Sequence, residues 1–97
     1  MKMFTVKIDK DEYKVEFEYA HNLYGKSEIK RTSCYILKEN KYQCLSSGRA
    51  TVHPNETANK NIGRKVSLKR ALENAGFGKF TRKLFWEAYY NARGGKW

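Results

Sequence analysis

Asn59-Lys60-Asn61-Ile62-Gly63-Arg64-Lys65-Val66-Ser67-Leu68-Lys69-Arg70-Ala71-Leu72 reads as a basic amphipathic helix, entered through the polar loop His53-Pro54-Asn55-Glu56-Thr57. Leu68, Ala71, Leu72 and Ala75 recur at i, i+3, i+4 and i+7, so they form one apolar stripe, with Arg64, Lys65, Lys69 and Arg70 expected largely outside it. One face is then for a core and the other for charge. The first N–H groups of a helix lack intrahelical partners and carry partial positive charge, so Gly63 and Arg64 near that end could receive a phosphate.

Upstream of this helix the hydrophobic period is two. Phe4, Val6 and Ile8 alternate with Thr5 and Lys7, Asp9-Lys10-Asp11-Glu12 interrupts, and Tyr13, Val15, Phe17 and Tyr19 alternate with Lys14, Glu16 and Glu18. This is a β-hairpin with one buried face and a mixed Lys/Glu face. Ala20-His21-Asn22-Leu23-Tyr24-Gly25-Lys26-Ser27 is loop-like, with Gly25 as the turn residue. A third strand follows over residues 28–38, then a turn at Glu39-Asn40-Lys41. A fourth begins at residues 42–45 and can resume as Arg49-Ala50-Thr51-Val52 after Ser46-Ser47-Gly48, where Gly48 would mark a bulge or a second tight turn. His53-Pro54 ends the sheet, because Pro cannot donate to a ladder.

Downstream, Asn74-Ala75-Gly76 closes the first helix, with Gly76 placed to take the left-handed conformation. Thr81 can cap a second helix whose apolar stripe is Leu84, Phe85, Ala88, Tyr89 and Ala92, before Gly94-Gly95 stops it. The expected architecture is α+β: an N-terminal antiparallel β-meander of four or five strands followed by a two-helix hairpin packed on the sheet. Residues 1–97 make a single domain, 1–52 the sheet and 53–97 the basic helical hairpin. Half of the fourteen aromatic residues lie between Phe77 and Trp97. They complete the core, stack on a ligand base or form a homo-oligomer interface.

The net charge of +10 favours partners that carry phosphate or carboxylate. Residues 1–56 hold ten Lys/Arg against eight Asp/Glu, and residues 57–97 ten against two, so +8 of the +10 belongs to the C-terminal part. No run reaches the roughly 18 apolar residues of a membrane-spanning helix, and the start shows no long apolar signal core, so a cytoplasmic setting without membrane attachment is expected. Cys34 and Cys44 have no zinc spacing and read as two core thiols. His21 and His53 are the only histidines; His53 with Glu56 could form an acid/base pair, but no second carboxylate, activated nucleophile or metal cluster accompanies them. The reading is therefore non-enzymatic, with no cofactor and no metal. Walker, dinucleotide-binding, ribonucleoprotein and zinc-finger patterns are absent from the sequence.

The cations and amides near the first helix fit a nucleotide or nucleic acid. Expected phosphate-binding residues are Asn59, Lys60, Asn61, Arg64, Lys65, Lys69 and Arg70, joined by Arg82 and Lys83 from the second helix, with Arg64 and Lys65 foremost. The structural alternative is that Arg70 and Arg64 pair with Glu73 and Glu87 as surface ion pairs.

His53-Pro54-Asn55-Glu56 through Lys60, Gly63-Arg64-Lys65 and Leu68-Lys69-Arg70-Ala71-Leu72, followed by an Arg-initiated helix with Trp86, resembles a pattern of small phage and prophage proteins. Within that group the order of strands then two helices is similar to the anti-Thoeris sponge family, whose members sequester cyclic-nucleotide immune signals as oligomers. No ligand-binding residue is carried over from that family. The resemblance implies a phage anti-defence protein in the host cytoplasm that acts by stoichiometric binding. The alternatives are an anti-CRISPR protein occupying a guide-RNA or DNA site of a host nuclease complex, or a phage accessory protein for DNA or RNA.

Overall fold

In the computed structural model, which describes residues 3–24, 27–38, 43–52 and 60–92, the two alternating runs pair as expected. β1 (Met3–Ile8) lies antiparallel to β2 (Asp11–Tyr24), from Met3 opposite Glu16 to Ile8 opposite Asp11. The two-residue connection needs one left-handed position, and Asp9 takes it with φ 54°. β3 (Ser27–Lys38) and β4 (Gln43–Val52) complete a four-stranded antiparallel sheet in the order β1-β2-β3-β4. Two helices follow, α1 (Lys60–Ala75) and α2 (Lys79–Ala92), so the protein is α+β, with a four-stranded sheet and two helices among the described residues.

Three expectations are corrected. The stretch from Ala20 to Tyr24 is strand, not loop, because β3 supplies a partner at every position to Tyr24 opposite Ser27. Gly25 itself lies outside the described residues, as do the turn at Glu39-Asn40-Lys41, residues 53–59 and Gly94-Gly95. β4 runs unbroken through Ser46-Ser47-Gly48, and the irregularity in its pairing falls opposite Ile36 and Leu37, where the register slips past Leu45 to place Cys44 opposite Leu37. The second helix starts at Lys79, ahead of Thr81, with the Arg82 N–H donating to the Gly78 carbonyl at 3.0 Å.

The polar Ser-Ser-Gly run stays in the sheet because α1 packs on it. Ser46 Oγ donates to the Ala71 carbonyl at 2.6 Å, and a Cβ at Gly48 would stand 2.2 Å from the Ser67 carbonyl oxygen and 2.4 Å from the Ala71 nitrogen. Only glycine admits the helix this close. One turn before Ser67 on α1, Gly63 lies against the Thr32 side chain of β3. Asn74 Nδ2 donates to the Ser47 carbonyl at 2.9 Å and Arg70 Nη1 to the Arg49 carbonyl at 2.5 Å. These two bonds satisfy carbonyls of alternate residues on the edge strand, which would otherwise invite a foreign strand.

α1 lies over β4 and β3, and α2 lies over β1. Between helices and sheet sit Phe4, Val6, Val15, Phe17, Cys34 and Ile36 from the strands, Leu68, Ala71 and Leu72 from α1, and Phe85 and Tyr89 from α2. Each fully buried large apolar side chain here contributes about 1.5–3 kcal/mol. Tyr89 meets Phe4 and Phe17 edge-on at 5.8 and 6.1 Å, and Phe77 stacks on Phe85 at 5.2 Å. Gly76 takes φ +74° after α1, and its N–H reaches the Glu73 carbonyl at 3.1 Å.

The C-terminal aromatic group divides. Phe77, Phe85, Trp86 and Tyr89 belong to the core and its margin, Phe80 is 75% exposed, Tyr90 lies at the surface boundary, and Trp97 is outside the described residues. Cys34 is buried as expected, but Cys44 is exposed, since the register slip carries it away from the core. Burial, with a smaller contribution from Cys44, pushes the Cys34 thiol up to about 12. One equivalent of a thiol reagent should therefore label native protein rapidly at Cys44, with Cys34 reacting only on unfolding. Mass spectrometry of the labelled peptides checks this; equal labelling of both in native protein would contradict the burial of Cys34.

Candidate functional site

Of the nine residues singled out from the sequence, the seven whose side chains are described do not form one surface. Arg64 turns inward. It precedes Leu68, Ala71, Leu72 and Ala75 by 4, 7, 8 and 11 positions, so it continues the buried stripe by one more turn. Its Nη1 donates to Tyr19 Oη on β2 at 2.7 Å, and its Nη2 donates to Asn61 Oδ1 one turn back on α1. Burial alone would lower the pKa of this guanidinium; the hydrogen bond with Tyr19 and charge interactions with Tyr19 and Tyr89 more than offset that and hold it above its ordinary value. Arg64 thus ties α1 to β2 through a permanently charged group.

Asn61 is spent as the acceptor for Arg64, and Arg82 lies on the Phe85 and Tyr89 side of α2 at i, i+3 and i+7. The Nε atoms of both Arg64 and Arg82 are buried and have no hydrogen-bond partner. Lys69, Arg70 and Lys83 are exposed, and Lys65 is half-buried. Asn59 lies outside the described residues, and of Lys60 only the backbone, at the start of α1, is described. The ion pairs imagined for Arg64 with Glu87 and Arg70 with Glu73 are not what these guanidinium groups do: Arg64 holds Tyr19 and Asn61, and Arg70 holds a strand carbonyl.

Arg70 brings the sequence reading to a site it did not contain. Beside it runs an open groove of about 350 Å³ between the outer face of the sheet and the flank of α1. β3 contributes Ser33 and Tyr35, β4 contributes Ser47 and Arg49, and α1 adds Glu73 and Asn74. The period of two places these strand residues opposite the core: Cys34 and Ile36 point to the helices, Ser33 and Tyr35 away from them. The helix residues share one flank because 70, 73 and 74 are spaced i, i+3, i+4. Each half of this pattern was present in the sequence, but only the register of Ser33 with Arg49 and Tyr35 with Ser47 joins them.

Chemically the groove offers two guanidinium groups, three hydroxyls, an amide, one carboxylate and one aromatic ring. Arg70 and Asn74 are each anchored by one donor to a β4 carbonyl, which fixes where their remaining N–H groups point. A second hollow of about 240 Å³ lies on the same sheet face among Met3, Glu16, Glu18 and Tyr35. Among the described residues no cluster of His, Cys, Asp and Glu could hold a metal ion, and no helix is long and apolar enough to cross a membrane. No protein-family model matches the chain, and neither does any curated protein or solved structure.

Proposed function

We propose that the chain is a non-enzymatic binding protein whose groove between the outer sheet face and α1 takes a phosphate-bearing ligand, in particular a nucleic acid. The observation that supports this is the convergence of Arg49 and Arg70, from different elements, on one open groove that also holds neutral hydrogen-bonding groups. Arg presents a planar fork that matches phosphate oxygens, and a chain with net charge +10 gains by meeting a polyanion. Lys69, exposed beside Arg70 on α1, extends the positive field beyond the groove. An open groove suits a ligand that continues past it better than a small molecule that must be enclosed.

In the phage setting that the sequence resemblance suggests, such a protein would act in the host cytoplasm by occupying a nucleic acid, or a nucleic-acid site of a defence complex, stoichiometrically. Self-association through α2 accompanies the proposal, supported by the exposed Phe80 ring. Titration with short DNA and RNA and with cyclic di- and trinucleotides, each at low and high salt, tests the reading. Polymer binding that weakens steeply with salt is expected. The Arg49→Ala/Arg70→Ala double variant should lose about 10- to 100-fold in affinity and flatten the salt dependence by nearly two phosphate contacts. Tight, salt-tolerant uptake of a cyclic nucleotide would replace this reading with that of a signal-sequestering protein, and unchanged polymer affinity in the double variant would remove the site.

A further inference from the structure

The outer sheet face can be mapped from the pairing alone. One row across the strands is Met3, Glu16, Tyr35, Ser47, and the next is Glu18, Ser33, Arg49. Tyr35 stands at the centre: it walls both the groove with Arg49 and Arg70 and the hollow with Glu16 and Glu18. Charge varies across this face. Arg49 and Arg70, with Glu73 beside them, are at the β4 edge, and Glu16 and Glu18 are two strands away, about 10 Å at the usual ~4.8 Å strand spacing. Lys14 holds Glu16 at 3.0 Å, so Glu18, which is exposed, is the acceptor turned to solvent on that side.

A polyanion alone would gain nothing from the carboxylate side, which repels phosphate. A nucleotide is different, being anionic at one end and carrying hydrogen-bond donors on its base at the other. We propose that Tyr35 is a stacking platform for one base of a single-stranded nucleic acid, with its phosphate at Arg49 and Arg70 and its amino edge toward Glu18. This rests on the groove being the nucleic-acid site. It adds the strandedness of the ligand and a preference among bases. An aromatic ring accepts any base face, whereas a carboxylate accepts a hydrogen bond from the cytosine amino group and opposes the thymine O4 carbonyl. A duplex keeps its base faces stacked internally and cannot use the ring.

The test is fluorescence anisotropy near pH 7.5 with labelled oligo-dC and oligo-dT of about eight nucleotides, a usual single-strand site size, and a duplex of the same length. Wild type should bind oligo-dC several-fold tighter than oligo-dT, and both tighter than the duplex. Tyr35→Leu should lose about tenfold for both single strands, the usual scale for one stacked base, while Tyr35→Phe keeps affinity. Glu18→Gln should erase the dC preference without lowering oligo-dT affinity. Circular dichroism confirms that each variant is folded. Single strands bound equally by wild type and Tyr35→Leu, but released by the Arg49/Arg70 double variant, would overturn the platform and leave the groove standing. A dC preference that survives Glu18→Gln would overturn the base orientation. Duplex bound as tightly as single strand would overturn the strandedness, and absence of all nucleic-acid binding would overturn the groove reading together with this one.

Discussion

Gly48→Ala should cost about 3 kcal/mol or more of folding stability, enough to leave a marginal domain of this size partly unfolded. The added methyl would stand 2.2 Å from the Ser67 carbonyl oxygen and 2.4 Å from the Ala71 nitrogen. Both atoms belong to the backbone of α1, so no side-chain rotation relieves the clash. The helix must lift off β4, and the bonds from Ser46 to Ala71, Arg70 to Arg49 and Asn74 to Ser47 lengthen together. Two further glycines calibrate the result. At Gly63 the new Cβ would meet the Thr32 hydroxyl at 2.6 Å, a side-chain obstacle, so Gly63→Ala should cost less. At Gly78 nothing lies within 4 Å and φ is not in the left-handed region, so Gly78→Ala should be neutral or slightly stabilising through the unfolded chain. Urea denaturation gives all three, and thermal melting should place Gly48→Ala at least about 12 °C below wild type, at ~4–8 °C per kcal/mol for this size. A Gly48→Ala protein as stable as wild type would show that α1 does not rest on β4 at this separation.

What could be read from the chain and what could not divides along the range of the interactions. The hairpin of β1 and β2 was legible because alternation is local: Phe4, Val6, Val15 and Phe17 announce one buried face without reference to anything distant. The α1 stripe and the Gly76 stop were legible for the same reason. Ser46-Ser47-Gly48 was not, since locally it has turn composition, and what holds it in a strand is a helix more than twenty residues on. The strand character from Ala20 to Tyr24 depends likewise on β3 pairing, which overrides weak local preference. The exposure of Cys44 follows from a register slip that no local pattern encodes. The groove needed both kinds of information. Its strand faces and its helix flank were each periodic, but which outward residue of β3 meets which of β4 is a matter of register.

Arg64 shows how a local pattern can be present and still be misread. Its spacing to Leu68, Ala71 and Leu72 puts it on the buried stripe, yet a guanidinium there looks out of place until Tyr19 and Asn61 are seen to receive it. Arg64→Ala should therefore lower stability by about 2–3 kcal/mol, the scale of a charged hydrogen-bonding partner removed from a half-buried site. Tyr19 and Asn61 lose their donor, and a void opens beneath the aliphatic stem between α1 and the sheet. Arg64→Lys should recover only part of the loss, because a single ammonium group cannot reproduce the two divergent N–H bonds. Arg64→Met would restore the packed volume and leave the polar groups unmet, so its stability relative to Ala separates the two contributions. In contrast, oligonucleotide affinity per folded molecule should stay within about twofold of wild type, since Arg64 is not in the groove that holds Arg49 and Arg70. Denaturation and anisotropy on the same preparations decide the matter. A stable Arg64→Ala protein with binding abolished would move the ligand site to the start of α1, where the sequence alone first suggested it.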